Sequence, residues 1–313
     1  MIGSAQTLAK IFAKQWGGTA LSLVSARENT VFRMQLPDGQ TAALRLHRDG
    51  YQSRAAIESE LWFCARLAGR GLPVPRPQPT QQGAFLAEVA GGFASVVEWL
   101  PGEPSGAAGV PLRGAVADQV AHHFALGQLL ARLHEETLTL TLPEGFDRPR
   151  WDIDGLLGEA PFWGRFWEHP CLTEPEAVRF HHLRQQLRDE LAPHMVQGPI
   201  LPVHADVLRE NVLVSMGALA LIDFDDCGSG HPLYDMGTVL SQNLYEPASP
   251  GLRRALSDGY ATRRAVDLRL VDLFTLARCL ASVGWTMSRL ALDNPVMRRH
   301  IARAFHCADK VFP

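Results

Sequence analysis

His204-Ala205-Asp206-Val207-Leu208-Arg209-Glu210-Asn211, continuing through Val212-Leu213-Val214 and, past Met216-Gly217, through Leu219-Ala220-Leu221-Ile222-Asp223, is the stretch on which the reading of this chain turns. The two short aliphatic runs flanking Met216-Gly217 predict a two-stranded hairpin that lifts Asn211 and Asp223 to neighbouring strand ends. Asp206 lies in the turn before it. A carboxylate within reach of a hydroxyl, together with a carboxylate and an amide oxygen as hard ligands, suits a magnesium ion bridging nucleotide phosphates and an attacking alcohol.

The pattern H-x-D-x-x-x-x-N followed by I-D-F resembles the catalytic loop and metal-binding Asp of the protein-kinase-like superfamily. With I-D-F-D-D-C-G and then P-L-Y-D-M, the chain is most similar to the aminoglycoside phosphotransferase and choline kinase branch. That branch also holds bacterial stress-response kinases, type II homoserine kinases and hydroxylysine kinases. The resemblance implies an α+β, two-lobed fold: an N-terminal antiparallel sheet with one helix, and a mainly helical C-terminal lobe. It implies transfer of the ATP γ-phosphoryl group to a hydroxyl, with Asp206 as catalytic base and Asn211 and Asp223 as Mg2+ ligands. Each of the three alone would be an ordinary turn or capping residue; their joint spacing argues against that. The family position of His204 implies a loop-holding role, and that of Asp235 a brace beneath the loop. Asp225 and Asp226 stay open between a second cation or cationic acceptor group and a turn cap.

Composition agrees. A chain of 313 residues that is 46% hydrophobic can bury a large core and exceeds the usual size of one domain. A formal charge of −3 offers no basic field for nucleic acid. The five cysteines, Cys64, Cys171, Cys227, Cys279 and Cys307, form no C-x-x-C pair, which argues for reduced thiols in a cytoplasm. No apolar run reads as a membrane span, and the N-terminus reads as a short amphipathic helix and not a signal peptide. Oligomeric state has no signature here.

From residue 1 to 100, the expected nucleotide-binding lobe, strands are predicted at Ala20 to Ser25, Thr30 to Leu36, Thr41 to Leu46, Phe85 to Val89 and Phe93 to Leu100, with a helix from Ser53 to Leu67. From 101 to 313, helices are predicted at Val116 to His134, Glu174 to Leu191, Gly251 to Ala261, Leu268 to Leu292 and Pro295 to Val311. Arg45 points opposite to Leu44 and Leu46 on its strand and stands where the family more often has lysine for the α- and β-phosphates. By the same resemblance Glu60, in preference to Glu58, is its acidic partner. No G-x-G-x-x-G is present; the first hairpin, Ser25 to Phe32, takes its place against phosphate. The backbone of Glu98 and Leu100, at the end of the last N-terminal strand, is the expected reader of adenine.

The acceptor is expected to be a small hydroxylated molecule such as an amino alcohol or a hydroxy amino acid. The aromatic, mixed-charge stretch from Arg150 to Glu168 reads either as its enclosure or as core packing. Nothing in the charge balance favours a polycationic antibiotic. Two other readings stay open: a stress-response protein Ser/Thr kinase, and a non-catalytic nucleotide-binding pseudokinase suggested by Arg45 and the missing glycines.

Overall fold

The computed structural model describes residues 2–26 and 29–313. The turn at Arg27-Glu28, and with it the phosphate-facing reading of the first hairpin, lies outside the described residues. The chain divides into two compact units, Met1–Glu103 with Thr141–Arg148 and Leu213–Ile222, and Pro104–Leu140 with Pro149–Val212 and Asp223–Pro313.

The first unit opens with α1 (Ile2–Ala13) and holds an antiparallel sheet of β1 (Thr19–Ala26), β2 (Thr30–Gln35), β3 (Thr41–Leu46), β4 (Leu86–Val89) and β5 (Gly92–Glu98) in the order β1-β2-β3-β5-β4. The predicted strands are all present; the last ends at Glu98, short of Pro101, which has no N–H to give a ladder. Gly39 turns the β2–β3 link at φ 83°, and Asp38 Oδ1 accepts from the Gln40 N–H. Alternation puts Ala42 and Leu44 of β3 on one face, where they bury with Phe32, Met34, Val96, Phe12 and Trp16. Arg45 therefore emerges on the other face. There α2 (Arg54–Gly69), capped by Ser53 accepting from the Ala56 N–H, packs Ile57 and Leu61 against Leu86.

The second unit is helical: α3 (Val116–Leu138), α4 (Ile153–Leu157), α5 (Glu174–Gln197), α6 (Leu233–Ser241), α7 (Ser249–Ala261), α8 (Leu268–Met287) and α9 (Pro295–Val311). The short strands are β6 (Glu103–Pro104), β7 (Arg150–Trp151), β8 (Leu201–Val203), β9 (Val212–Ser215), β10 (Ala218–Leu221) and β11 (Gly228–Gly230); β7, β11 and β8 form a small mixed sheet of the second unit, whereas β9 from Leu213 on and β10 fall in the first. Strands β9 and β10 are the predicted hairpin, and Met216 and Gly217 at φ 47° and 82° make the left-handed two-residue turn its right-handed twist requires. The N-terminal sheet and helical remainder make this an α+β fold.

Three helix C-terminal ends differ clearly from expectation. α3 runs past His134 to Leu138, α5 runs on to Gln197 through Pro193, and α8 stops at Met287, before Asn294 caps α9. The reading that no segment could span a bilayer needs correction: α8 is long and apolar enough by length and composition. It is a core helix, with 83% of that apolar window buried inside the protein. Helices α6 and α8 meet at Gly237, where an added Cβ would lie 2.5 Å from the Phe274 carbonyl carbon, so this crossing tolerates only glycine without displacement.

Candidate active site

The loop after β8 is held in a strained shape. Ala205 adopts φ 64°, costly for a residue with a Cβ. The His204 and Ala205 N–H groups donate to the two oxygens of Asp235 at 3.0 and 2.7 Å. Asp235, fully buried on α6, also accepts from His134 Nε2 at 3.0 Å, and His134 Nδ1 meets the Tyr260 hydroxyl. The Asp235 carboxylate is thus turned on the loop and not on the start of its own helix. His204 Nδ1 accepts from the Asp206 N–H at 3.2 Å while its ring packs on Phe224, so it acts as an internal strut.

Those bonds aim Asp206. Its Oδ2 accepts from Asn211 Nδ2 at 2.8 Å, and the same amide donates to the Asp206 carbonyl at 2.9 Å. Its Oδ1 accepts from Arg278 Nη2 of α8 at 2.6 Å. Asn211 ends a one-turn helix fastened by Arg209, which donates to Asn243 and Glu246. Asp223 follows β10 at φ 65°, exposed, with its conformation in the left-handed region that Asp tolerates better than most residues. Burial raises the Asp226 carboxyl well above its usual range, and the charges of Asp206, Asp225 and Asp223 add to the rise while Arg278 opposes it. Four carboxylates therefore share one electrostatic neighbourhood. Asn211 and Asp223 carry one amide and one carboxylate oxygen, the hard donor types that suit Mg2+.

In the first unit Arg45 Nη1 donates to Glu60 Oε1 at 2.5 Å, both groups buried; Glu58 instead pairs with Arg54 on the surface. Burial pushes the Glu60 carboxyl up, but the charges of Arg45 and then Arg148 outweigh it and hold the group below its ordinary range. Burial and then Arg45 push His47 down to about 3, keeping it neutral beside the pair. Glu60→Ala removes the buried carboxylate that Arg45 pairs with and is expected to cost about 3–5 kcal/mol, read as a drop in thermal midpoint. The Glu98 N–H donates to the Arg76 carbonyl at 2.8 Å, and Leu100 is half-buried just beyond.

The aromatic stretch divides. Trp151, Phe166 and Trp167 are core, and Phe162 is exposed. Trp163 does more, since the Arg278 guanidinium lies 4.4 Å from its ring centroid. Arg278, Trp163 and Tyr234 were not singled out from the sequence. A signal for the first was present: Arg278 is the one charge in L-F-T-L-A-R-C-L-A-S-V-G-W, and a charge in an apolar helix is buried only with a partner.

The phosphotransferase enzyme family matches residues 20–269 of this chain. The chain belongs to that family. Among relatives of this family phosphotransferase, an uncharacterised protein of Deinococcus radiodurans is 30% identical, covering 91% of this chain and 82% of that one. A homoserine kinase of Bartonella tribocorum is 26% identical over 84% of this chain and 77% of its own length. Of solved structures, a microcompartment-associated aminopropanol kinase superposes at a TM-score of 0.80 with 26% identity, covering 96% of this chain and 95% of that one. An amicoumacin kinase, solved with AMP-PNP and Ca2+, superposes at 0.75 with 19% identity over 96% and 92%, which bears on the fold alone. The family phosphotransferase is thus a kinase-like enzyme with small-molecule kinases among its relatives.

Proposed function

We propose that this enzyme transfers the γ-phosphoryl group of ATP to the hydroxyl of a small amino alcohol or hydroxy amino acid. The observation that carries the reading is Asp206, strapped by one oxygen to Asn211 and by the other to Arg278, with Asp223 in the same electrostatic neighbourhood. A carboxylate so fixed suits one task, to orient an acceptor hydroxyl and take its proton as the oxygen bonds to phosphorus and the β–γ bridging oxygen leaves with ADP, and this is the role proposed for Asp206. Asn211 and Asp223 would hold Mg2+, which when bound neutralises charge on the phosphates. Residues 1–100 are proposed to carry the nucleotide, with Arg45, positioned by Glu60, on the phosphates and the Glu98–Leu100 backbone against the base. Residues 101–313 are proposed to carry the chemistry and the acceptor. Homoserine and aminopropanol kinases among its relatives support an acceptor that bears both an amine and a hydroxyl, and five unbridged cysteines support a cytoplasmic setting.

The test is ADP release from MgATP across a panel of homoserine, 1-amino-2-propanol, ethanolamine, choline, hydroxylysine and simple sugars, with labelled ATP and generic protein substrates alongside. Turnover of one or more amine-bearing alcohols is expected. Labelling of protein with no small acceptor, or absence of all phosphoryl transfer including transfer to water, would overturn the reading.

A further inference from the structure

Arg278 is 4% exposed on α8, and ion pairs buried this deeply are often no more stable than apolar packing of the same volume. In the buried stretch Leu273 to Val283 of this helix, where Arg278 is the one charged residue, packing alone would be satisfied by Met or Leu. What the guanidinium does is specific. Nη2 donates to Asp206 Oδ1 at 2.6 Å, Nη1 reaches the Ala205 carbonyl at 3.4 Å, and the plane rests on the Trp163 ring. One cation thus grips the carboxylate and the backbone of the strained residue before it. Asn211 holds the other carboxylate oxygen, so neither χ1 nor χ2 of Asp206 is free to turn.

The same commitments argue against a substrate clamp, because a fork shared between a carboxylate and a carbonyl offers no parallel pair of N–H groups to a ligand. Arg278 also has the buried Tyr234 hydroxyl as an electrostatic neighbour. The hydrogen bonds of its two terminal nitrogens converge on Asp206 and on the residue before it.

We propose that Arg278 is a positioning residue of phosphoryl transfer, acting through Asp206 with Trp163 as its support. This rests on the phosphotransfer reading above. Its test compares Arg278→Met, Arg278→Lys and Trp163→Leu with the parent enzyme, using the best acceptor of the panel, or water if none is turned over. Arg278→Met is expected to lower kcat on the order of 10²-fold, the scale of a misplaced reacting group, with KM for ATP within about threefold of the parent. In an Asp206→Asn background the same change is expected to add less than about threefold, since it has nothing left to aim. Trp163→Leu, which keeps the ion pair and removes its support, is expected to lose about tenfold.

A kcat for Arg278→Met within about threefold of the parent, or an equal loss in the two backgrounds, overturns the inference. Should Arg278→Met fail to fold, Arg278→Lys decides: a point charge cannot replace the planar fork, so roughly tenfold loss is expected, and parent-like kcat there and in Trp163→Leu overturns it. A crystal structure of a folded variant reads the same point without turnover, the Asp206 carboxylate being expected to leave its rotamer and an unmoved one counting against the proposal. A parent without phosphoryl transfer, or one indifferent to Asp206→Asn, sinks the phosphotransfer reading itself; an active, Asp206-dependent parent indifferent to Arg278 sinks only this inference.

Discussion

Asp206→Asn is expected to lower kcat by roughly 10²- to 10⁴-fold, the usual worth of a positioned general base, while the affinity for MgATP changes little. The reason lies in its two neighbours. Asn211 Nδ2 and Arg278 Nη2 both donate, one to each carboxylate oxygen. An Asn side chain has one acceptor oxygen, so its NH2 group must face one of these donors and be repelled. The variant therefore loses both the proton acceptor and the aim of what remains, and relieves part of the repulsion that raises Asp226. Steady-state kinetics and calorimetric titration with a non-hydrolysable ATP analogue separate the two effects. Asp223→Ala, measured the same way, is expected to remove magnesium-dependent nucleotide binding. Unchanged turnover in Asp206→Asn would deny that residue its role.

The second large effect is expected from Asp235→Ala, a residue remote from any acceptor by its complete burial. Its removal leaves the His204 and Ala205 N–H groups and His134 Nε2 without their acceptor. A buried donor so orphaned costs about 1–3 kcal/mol. The strain at Ala205 is then no longer opposed, and the loop is expected to relax toward negative φ. We expect a loss of about 3–6 kcal/mol of stability together with a fall in kcat exceeding that of the folded fraction. Asp235→Asn, which keeps one acceptor, should lie between. Denaturant unfolding followed by fluorescence, with kcat normalised to folded protein, checks both variants; a destabilised Asp235→Ala with parent-like kcat would show that the brace serves the fold and not the base.

Much of this was legible because the governing forces are local in the chain. Alternation along Thr41–Leu46 separates Leu44 from Arg45 whatever else happens, and the opposite face is where a helix must come to bury the sheet, bringing Glu60 with it. Met216-Gly217 declares its turn through backbone sterics alone. The spacing of Asp206, Asn211 and Asp223 is a property of one hairpin. Arg278 was missed because its partner lies far away along the chain and no periodicity links α8 to the loop after β8. The extent of α5 and α8 escaped for a related reason: packing prolongs or truncates a helix against the preferences of its last turn, as at Pro193. The bilayer reading erred because a buried core helix and a membrane span share one composition, and only the surroundings of α8 tell them apart.

The crossing of α6 and α8 at Gly237 has a bearing on how such an enzyme can diversify. One of these helices supports the peptide groups ahead of Asp206 and the other grips its carboxylate. Under the proposed function, the reacting geometry is registered to this interior seam and not to the side chains that would meet an alcohol. New acceptors would then be recruited by redrawing those contacting side chains while the transfer apparatus is inherited intact.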